Sequence, residues 1–153
     1  MNDIVLDGAK VAGVLCFTQM QGQQLAGLVV GIGINVEVRP VVEPTPFVPQ
    51  VEALRSYSAG ATLAGTLANV CLALDEAISC LLDGRVDELL SRYRLRSVAV
   101  GKQVEVWPDG DANAASQVIV GTVEEIGSSL DLVLSPGDRR VHTGRLRLLK
   151  GSR

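Results

Sequence analysis

The order of apolar and polar positions sorts the chain into four stretches. The first, residues 1–36, alternates short apolar runs with turn signals. Ile4-Val5-Leu6 is closed by Asp7-Gly8, a pair that accepts the positive φ angles of a tight hairpin. Residues 11–17 form a second run. Residues 19–24, polar with Gly22, predict a hairpin loop. Residues 25–34 are almost continuously apolar, the pattern of a strand buried on both faces. Three antiparallel strands of a larger sheet are expected.

The second stretch, 37–61, carries Pro40, Pro44, Pro46 and Pro49, a spacing that no long element survives. It predicts a surface loop with a short helical turn near residues 51–57. The third, 62–95, has helical periodicity. Thr62 is a candidate N-cap, and Leu63, Leu67, Val70, Cys71, Leu74, Ile78 and Leu81 make one stripe. Asp83-Gly84 ends that helix, and Val86, Leu89, Leu90 and Tyr93 mark a second. The pair is expected to cover a face of the sheet. The fourth stretch, 98–150, predicts about five short strands (around 104–106, 118–123, 130–134, 140–143 and 146–149), with a turn at Pro108-Asp109-Gly110-Asp111. That spacing suits a small barrel. The fold class is therefore α+β: a partial, mixed or antiparallel sheet under a helical layer, then a small β-barrel. The domain boundary is expected between 97 and 98.

Composition narrows the function. The chain has 153 residues and 47% apolar content, enough for a core. A net charge of −3 argues against gripping phosphate backbones, and 3% aromatic content against a stacking platform for single strands, so no nucleic-acid partner is expected. Cys16, Cys71 and Cys80 sit in apolar runs without a C-x-x-C spacing and read as buried, reduced thiols of a cytoplasmic protein. No apolar stretch is read as long enough to span a bilayer, since residues 25–34, the longest, contain three glycines, and the N-terminus has no signal-peptide pattern. No membrane partner is expected.

Candidate chemistry is sparse. The lone His142 has no nucleophile or acid to complete a triad and reads as structural. One histidine and three scattered cysteines do not make a zinc site. Gly31-Ile32-Gly33-Ile34-Asn35 lacks the third glycine of a dinucleotide loop, where Val36 stands, and prolines rather than a helix follow. Glycines one residue apart in a strand still let a ligand or another backbone approach closely. Lys10 opens an apolar strand after a tight turn. It is either a snorkelling surface residue or a fixed cation for an anionic ligand. A hairpin could bring Asp3 to the same end, and an acid and a base beside glycine-lined strands would suit a nucleotide site.

Asn2-Asp3-Ile4-Val5-Leu6, then Lys10-Val11-Ala12-Gly13-Val14-Leu15, then Val30-Gly31-Ile32-Gly33-Ile34-Asn35-Val36 resemble, in order and spacing, the second half of the biotin–protein ligase family. The family's pattern is Lys-Trp-Pro-Asn-Asp, a Lys-(Ile/Leu/Val)-(Ala/Gly)-Gly-(Ile/Val)-Leu run, and Gly-x-Gly-x-Asn. The resemblance extends over essentially the whole chain, with sharp motifs only in the first 36 residues, and it implies an SH3-like C-terminal domain. It implies joining biotin to ATP, with Mg²⁺, as biotinyl-5′-AMP, then transfer to a lysine of a biotin carboxyl carrier protein. Lys10 would match the catalytic lysine that contacts the biotin carboxylate. Gly13, Gly31 and Ile34 would line the biotin pocket, and Asn2, Asp3 and Asn35 the nucleotide side, with Asp3 the candidate metal ligand.

The family's Gly-Arg-Gly-Arg-x-Gly-Arg-x-Trp loop and the Lys-Trp-Pro ahead of Asn2 are missing from this sequence, and Phe17 stands where the family usually has glutamate. An incomplete C-terminal portion is therefore expected: a truncated product, a fragment, or one piece of a split enzyme. The alternative is a non-catalytic binding or assembly half that meets a missing N-terminal half, or a second copy, through its sheet edge. No DNA-binding helix-turn-helix is seen. Arg145 and Arg147 read as solvated strand residues, with nucleotide closure the other option.

Overall fold

The computed structural model describes residues 2–108 and 118–149, so the turn expected at Pro108-Asp109-Gly110-Asp111 lies mostly outside the described residues. The chain forms two compact units, Met1–Val70 and Cys71–Arg153, which part inside the long helix α1 (Leu63–Leu82).

The first unit is a three-stranded antiparallel sheet, β1 (Asp3–Leu6), β2 (Ala9–Gln21) and β3 (Gln24–Ile34), in the order β1-β2-β3. Asp7 (φ 47°) and Gly8 (φ 82°) form the two-residue turn that their sequence predicts. The loop expected over residues 19–24 is shorter. Gln21 pairs with Gln24, and only Gly22 (φ 62°) and Gln23 turn the chain. Gln19, Met20 and Gln21, all exposed, continue the strand because backbone pairing, not burial, extends it. Two register shifts interrupt the ladders, one where Ile4↔Ala12 gives way to Val5↔Lys10, the other between Gln19↔Gly27 and Met20↔Leu25.

Residues 37–53 form no helix or strand, but their end is not a free loop. A parallel bridge joins Val51 to Lys10. The Lys10 N–H donates to the Gln50 carbonyl and the Glu52 N–H to the Lys10 carbonyl, both at 2.9 Å. A short 3-10 turn follows at Leu54–Ser56, and the Tyr57 hydroxyl donates to the Leu6 carbonyl at 2.9 Å. The buried core of this unit is small: Ala9, Val11, Ala12, Val36 and Ala53.

The strand expected to be buried on both faces is not. Leu25, Leu28, Val29 (65% exposed) and Val30 of β3 face solvent, as do Leu15 and Phe17 (64%) of β2. Hydrophobicity specifies a preference for burial but not which surface supplies it. Exposed apolar side chains of this kind bind hydrophobic dyes, and Leu15, Phe17 and Val29 share one face of the sheet. Val29→Lys is expected to lower anilinonaphthalene-sulfonate emission while leaving the melt of the second unit unchanged. Equal emission from both proteins would show that the face bearing Val29 does not carry the dye.

Helix α1 starts at the predicted cap, with the Gly65 N–H donating to the Thr62 hydroxyl at 3.2 Å. Its apolar stripe is largely exposed, and only Cys80 is buried. Cys16 and Cys71 are likewise exposed, against the expectation of three buried thiols, and all three are free. By length and composition α1, with 20 residues and a mean hydropathy of 1.4, is long and apolar enough to cross a membrane. This corrects the reading of residues 25–34 as the longest apolar candidate. The difference arises because small and polar residues dilute the run in sequence, yet a helix of that length still spans about 30 Å. Length and composition alone do not make a span, and α1 carries Asp75 and Glu76 within it.

In the second unit Gly84 (φ 72°) ends α1 and α2 follows at Val86–Arg96. Strands β4 (Gln103–Trp107), β5 (Ile119–Ile126), β6 (Leu132–Ser135), β7 (Arg139–Val141) and β8 (Arg145–Leu148) build an antiparallel sheet ordered β7-β6-β5-β4-β8, consistent with an SH3-like domain. All five predicted strands are present, and β7 and β8 stand at the two ends of the order. Val104, Val106, Val123, Ile126 and Leu134 centre its core. Arg94 of α2 donates Nε to the Ile126 carbonyl at 2.6 Å, tying the helix to β5.

Asp131 is the one charged residue buried in that unit among those described, and it accepts from Arg140 Nη1 at 2.6 Å. Burial pushes its carboxyl up. The Arg140 hydrogen bond, its own backbone N–H, and the charges of Arg140 and His142 outweigh burial and hold it below the ordinary 3.8. A depressed carboxyl contributes stability that is present above the unfolded-state value and is lost as pH falls through the folded one. The second unit is therefore expected to melt at progressively lower temperature as pH drops below about 4. Fluorescence of Trp107, the only tryptophan, reports that unit. Asp131→Asn is expected to flatten this acid slope; a slope equal to the parent's would assign it to other carboxylates.

Candidate functional site

The functional candidate lies where β1 and β2 begin. Asp3 sits opposite Gly13 in the β1–β2 ladder, so both belong to one face. The Lys10 ammonium reaches the same place, with Nζ 2.6 Å from Asp3 Oδ1 and side chains 31% and 36% exposed. The ladder slips between Ala12 and Lys10, and a bulge of this kind re-aims a side chain. Simple alternation from Ala12 would send Lys10 to the opposite face from Gly13.

Gly13 leaves room for the pair. A Cβ there would lie 3.5 Å from Lys10 Nζ and 3.6 Å from Asp3 Oδ1, filling the space beside both. Register then carries the face onward. Gly13 pairs with Gly33, Leu15 with Gly31, and Phe17 with Val29. A Cβ at Gly33 would meet nothing within 4 Å, and one at Gly31 only the Leu15 carbonyl at 3.8 Å. The result is a strip of bare backbone leading from an ion pair. Chemically it can accept a flat ligand along the glycines with an anionic group at Lys10.

The structure thus brings Asp3, Lys10 and Gly13 together and sets Gly31 on their face. It does not do so for Ile34. Ile34 pairs with Ala12 and so belongs to the opposite face. Asn2 is exposed, and its carbonyl accepts the Val14 N–H at 2.8 Å. Asn35 follows β3, and its Nδ2 donates to the Glu52 carbonyl at 3.1 Å. Gly33 extends the strip and was not among the expected pocket residues, although its spacing of two from Gly31 places it on the same face. Residues 50–52, which clasp the Lys10 backbone, carry no motif that would have singled them out.

Around this face Glu52 is held by its neighbours. The Ser56 hydroxyl donates to Glu52 Oε2 at 2.8 Å and Arg39 to Oε1 at 3.2 Å. The Ser56 hydrogen bond, then Arg39, keep its carboxyl below the usual range against the opposing effect of partial burial. A concavity of about 210 Å³ lies in the proline-rich segment, between Arg39, Pro40, Pro44 and Pro49, rather than on the glycine strip.

The other candidates have structural partners or lie exposed. Arg147 donates Nε to Glu105 at 2.8 Å and lies 5.1 Å from the Trp107 ring centroid, an ion pair with a cation–π contact made by a side chain that stays 40% exposed. Arg145 stands opposite Trp107 in the β4–β8 ladder. His142 lies exposed just beyond β7. Among the described residues no three of His, Cys, Asp and Glu group as a metal site.

No protein-family model matches the sequence, and no curated protein does. Solved structures match in fold. The biotin protein ligase from Aquifex aeolicus in complex with biotin and ATP aligns at TM-score 0.70 and 18% identity, over 98% of this chain and 60% of that one. A point mutant of the same ligase in complex with biotin gives 0.71 and 18%, with the same coverage. The apo ligase gives 0.70 and 19%, over 98% and 63%. The fold is that found in these ligases, and the chain spans about three fifths of their length.

Proposed function

We propose that this chain is the C-terminal portion of a biotin protein ligase. Such an enzyme joins biotin to ATP and then biotinylates a lysine of a carboxyl carrier protein. The observation that carries the reading is the Lys10 ammonium, paired with Asp3 at the head of an open glycine strip, in a fold shared with ligases solved with biotin and ATP. In the first step a biotin carboxylate oxygen bonds to the α-phosphorus of ATP, and the bond to the β-phosphate bridge breaks to release pyrophosphate. In the second, the acceptor lysine attacks the acyl carbon, AMP leaves, and the amine loses a proton to solvent. Lys10 would hold the carboxylate and offset charge gathering at the α-phosphate. Gly13, Gly31 and Gly33 would form the floor under the ligand, while Asn2, Asp3 and Asn35 would face the nucleotide. The three free cysteines suit a reducing cytoplasm.

Asp3 already neutralises Lys10, and no further carboxylate groups with it as a metal cluster among the described residues. These residues do not form a resident Mg²⁺ site. A Mg²⁺ that arrives on ATP belongs with the phosphates.

The exposed apolar residues of β2 and β3 favour a second reading, a non-catalytic assembly half whose face another polypeptide covers. Biotin-dependent pyrophosphate release from ATP separates the two. The ligase reading expects release when the chain is joined to an N-terminal ligase portion, and carrier biotinylation with it. Association without any such release would leave only the assembly reading.

A further inference from the structure

We propose that Asn35 is a positioning residue for Lys10, acting through the backbone of residues 50–52. The proposal rests on the reading of Lys10 as the anion-holding lysine. A lysine stem has four rotatable bonds, so a defined ammonium position needs a fixed backbone beneath it. Lys10 lacks the usual support. On one side its ladder with β1 is irregular, slipping between Val5↔Lys10 and Ile4↔Ala12. On the other side β3 has already ended, since the β2–β3 ladder stops at Ala12↔Ile34.

Residues 50–52 take over where β3 stops. Their two backbone hydrogen bonds to Lys10, N–H to the Gln50 carbonyl and carbonyl from the Glu52 N–H, are both 2.9 Å. Asn35, the residue directly after β3, joins this replacement strand to the sheet. Its N–H donates to the Val11 carbonyl at 2.9 Å, its carbonyl accepts the Leu54 N–H at 2.8 Å, and its Nδ2 donates to the Glu52 carbonyl at 3.1 Å. The side-chain bond is the part that depends on residue identity, and it lands on the very residue whose N–H holds Lys10. An amide at this position therefore sets where the lysine backbone sits, whatever else it does toward a ligand.

Amide hydrogen exchange on the intact chain tests this without any ligand. In Asn35→Ala the amides of Lys10 and Glu52 are expected to exchange about tenfold faster or more, while those of the β2–β3 ladder near Cys16 and Val30 keep their protection. Unchanged protection at Lys10 and Glu52 would overturn the proposal. Uniform loss across β2 and β3 would overturn it too, because Asn35 would then hold the sheet as a whole. If the alanine variant does not melt cooperatively, Asn35→Ser decides by the same comparison. Failure here leaves the ligase reading standing, and loss of the ligase reading leaves the exchange result intact.

Discussion

Lys10→Ala is expected to lower biotin-dependent pyrophosphate release by roughly 100- to 1,000-fold in the ligase that contains this chain, the range seen when one preorganised donor is removed from a developing negative charge. The ammonium stands in a partly exposed ion pair beside bare glycine backbone, so its removal leaves an open surface that carries the unpaired Asp3 carboxylate rather than a collapsed one. Stability should change little, because an ion pair exposed to this degree contributes modestly. Lys10→Arg keeps the charge but replaces a compact point donor with a wide planar fork, and an intermediate rate follows. Asp3→Asn makes a useful contrast. It removes the competing carboxylate at 2.6 Å and retains the lysine, so it should cost far less than Lys10→Ala. Single-turnover formation of the adenylate is the readout. A full rate for Lys10→Ala would remove Lys10 from the chemistry and with it the main support for the ligase reading.

Much of this site could be read from the sequence, for reasons that differ residue by residue. Asp7-Gly8 gave away the first hairpin because few residue pairs accept two positive φ angles, and that hairpin brings Asp3 near Lys10. Thr62 revealed the start of α1 because its hydroxyl satisfies an orphan N–H. The five strands of the second unit were visible as short runs between Gly, Ser and Pro turn residues. The face of Lys10 was not visible. It depends on a one-residue slip in the ladder, and slips have no residue signature of their own. Ile34 stands on the other face of the sheet from Gly33, because neighbours in a strand point to opposite sides. The clasp of residues 50–52 on Lys10 was hidden because prolines announce where regular structure fails, not where the chain goes next. The exposed face of β3 marks another boundary, since a strand can be apolar on both faces without any described residue burying it.

Gly127→Ala is expected to destabilise the second unit by about 3 kcal/mol, at the upper end of the usual cost of overpacking, and the cause should be traceable to Asp131. A Cβ on Gly127 would lie 2.8 Å from Asp131 Cγ and closer still to Oδ1, contacts that real side chains do not make. The turn cannot easily open to relieve them. The Gly127 N–H donates to the Asp131 carbonyl at 2.8 Å, the Leu130 N–H donates to the Gly127 carbonyl at 3.1 Å, and Leu130 already sits at φ 61°. The carboxylate cannot easily leave either, because Arg140 holds it at 2.6 Å in a buried position. Glycine at 127 is therefore the space that lets an acid be buried in this turn. A coupling between the two positions follows as well as a magnitude. In an Asp131→Ala background the steric conflict is gone, so Gly127→Ala should cost much less than in the parent, a non-additivity of roughly 1–2 kcal/mol or more. Thermal melts followed by Trp107 fluorescence provide the four corners of the cycle. Additive effects would mean that Gly127 matters through its own backbone freedom, and that the Asp131 carboxylate is not what it accommodates.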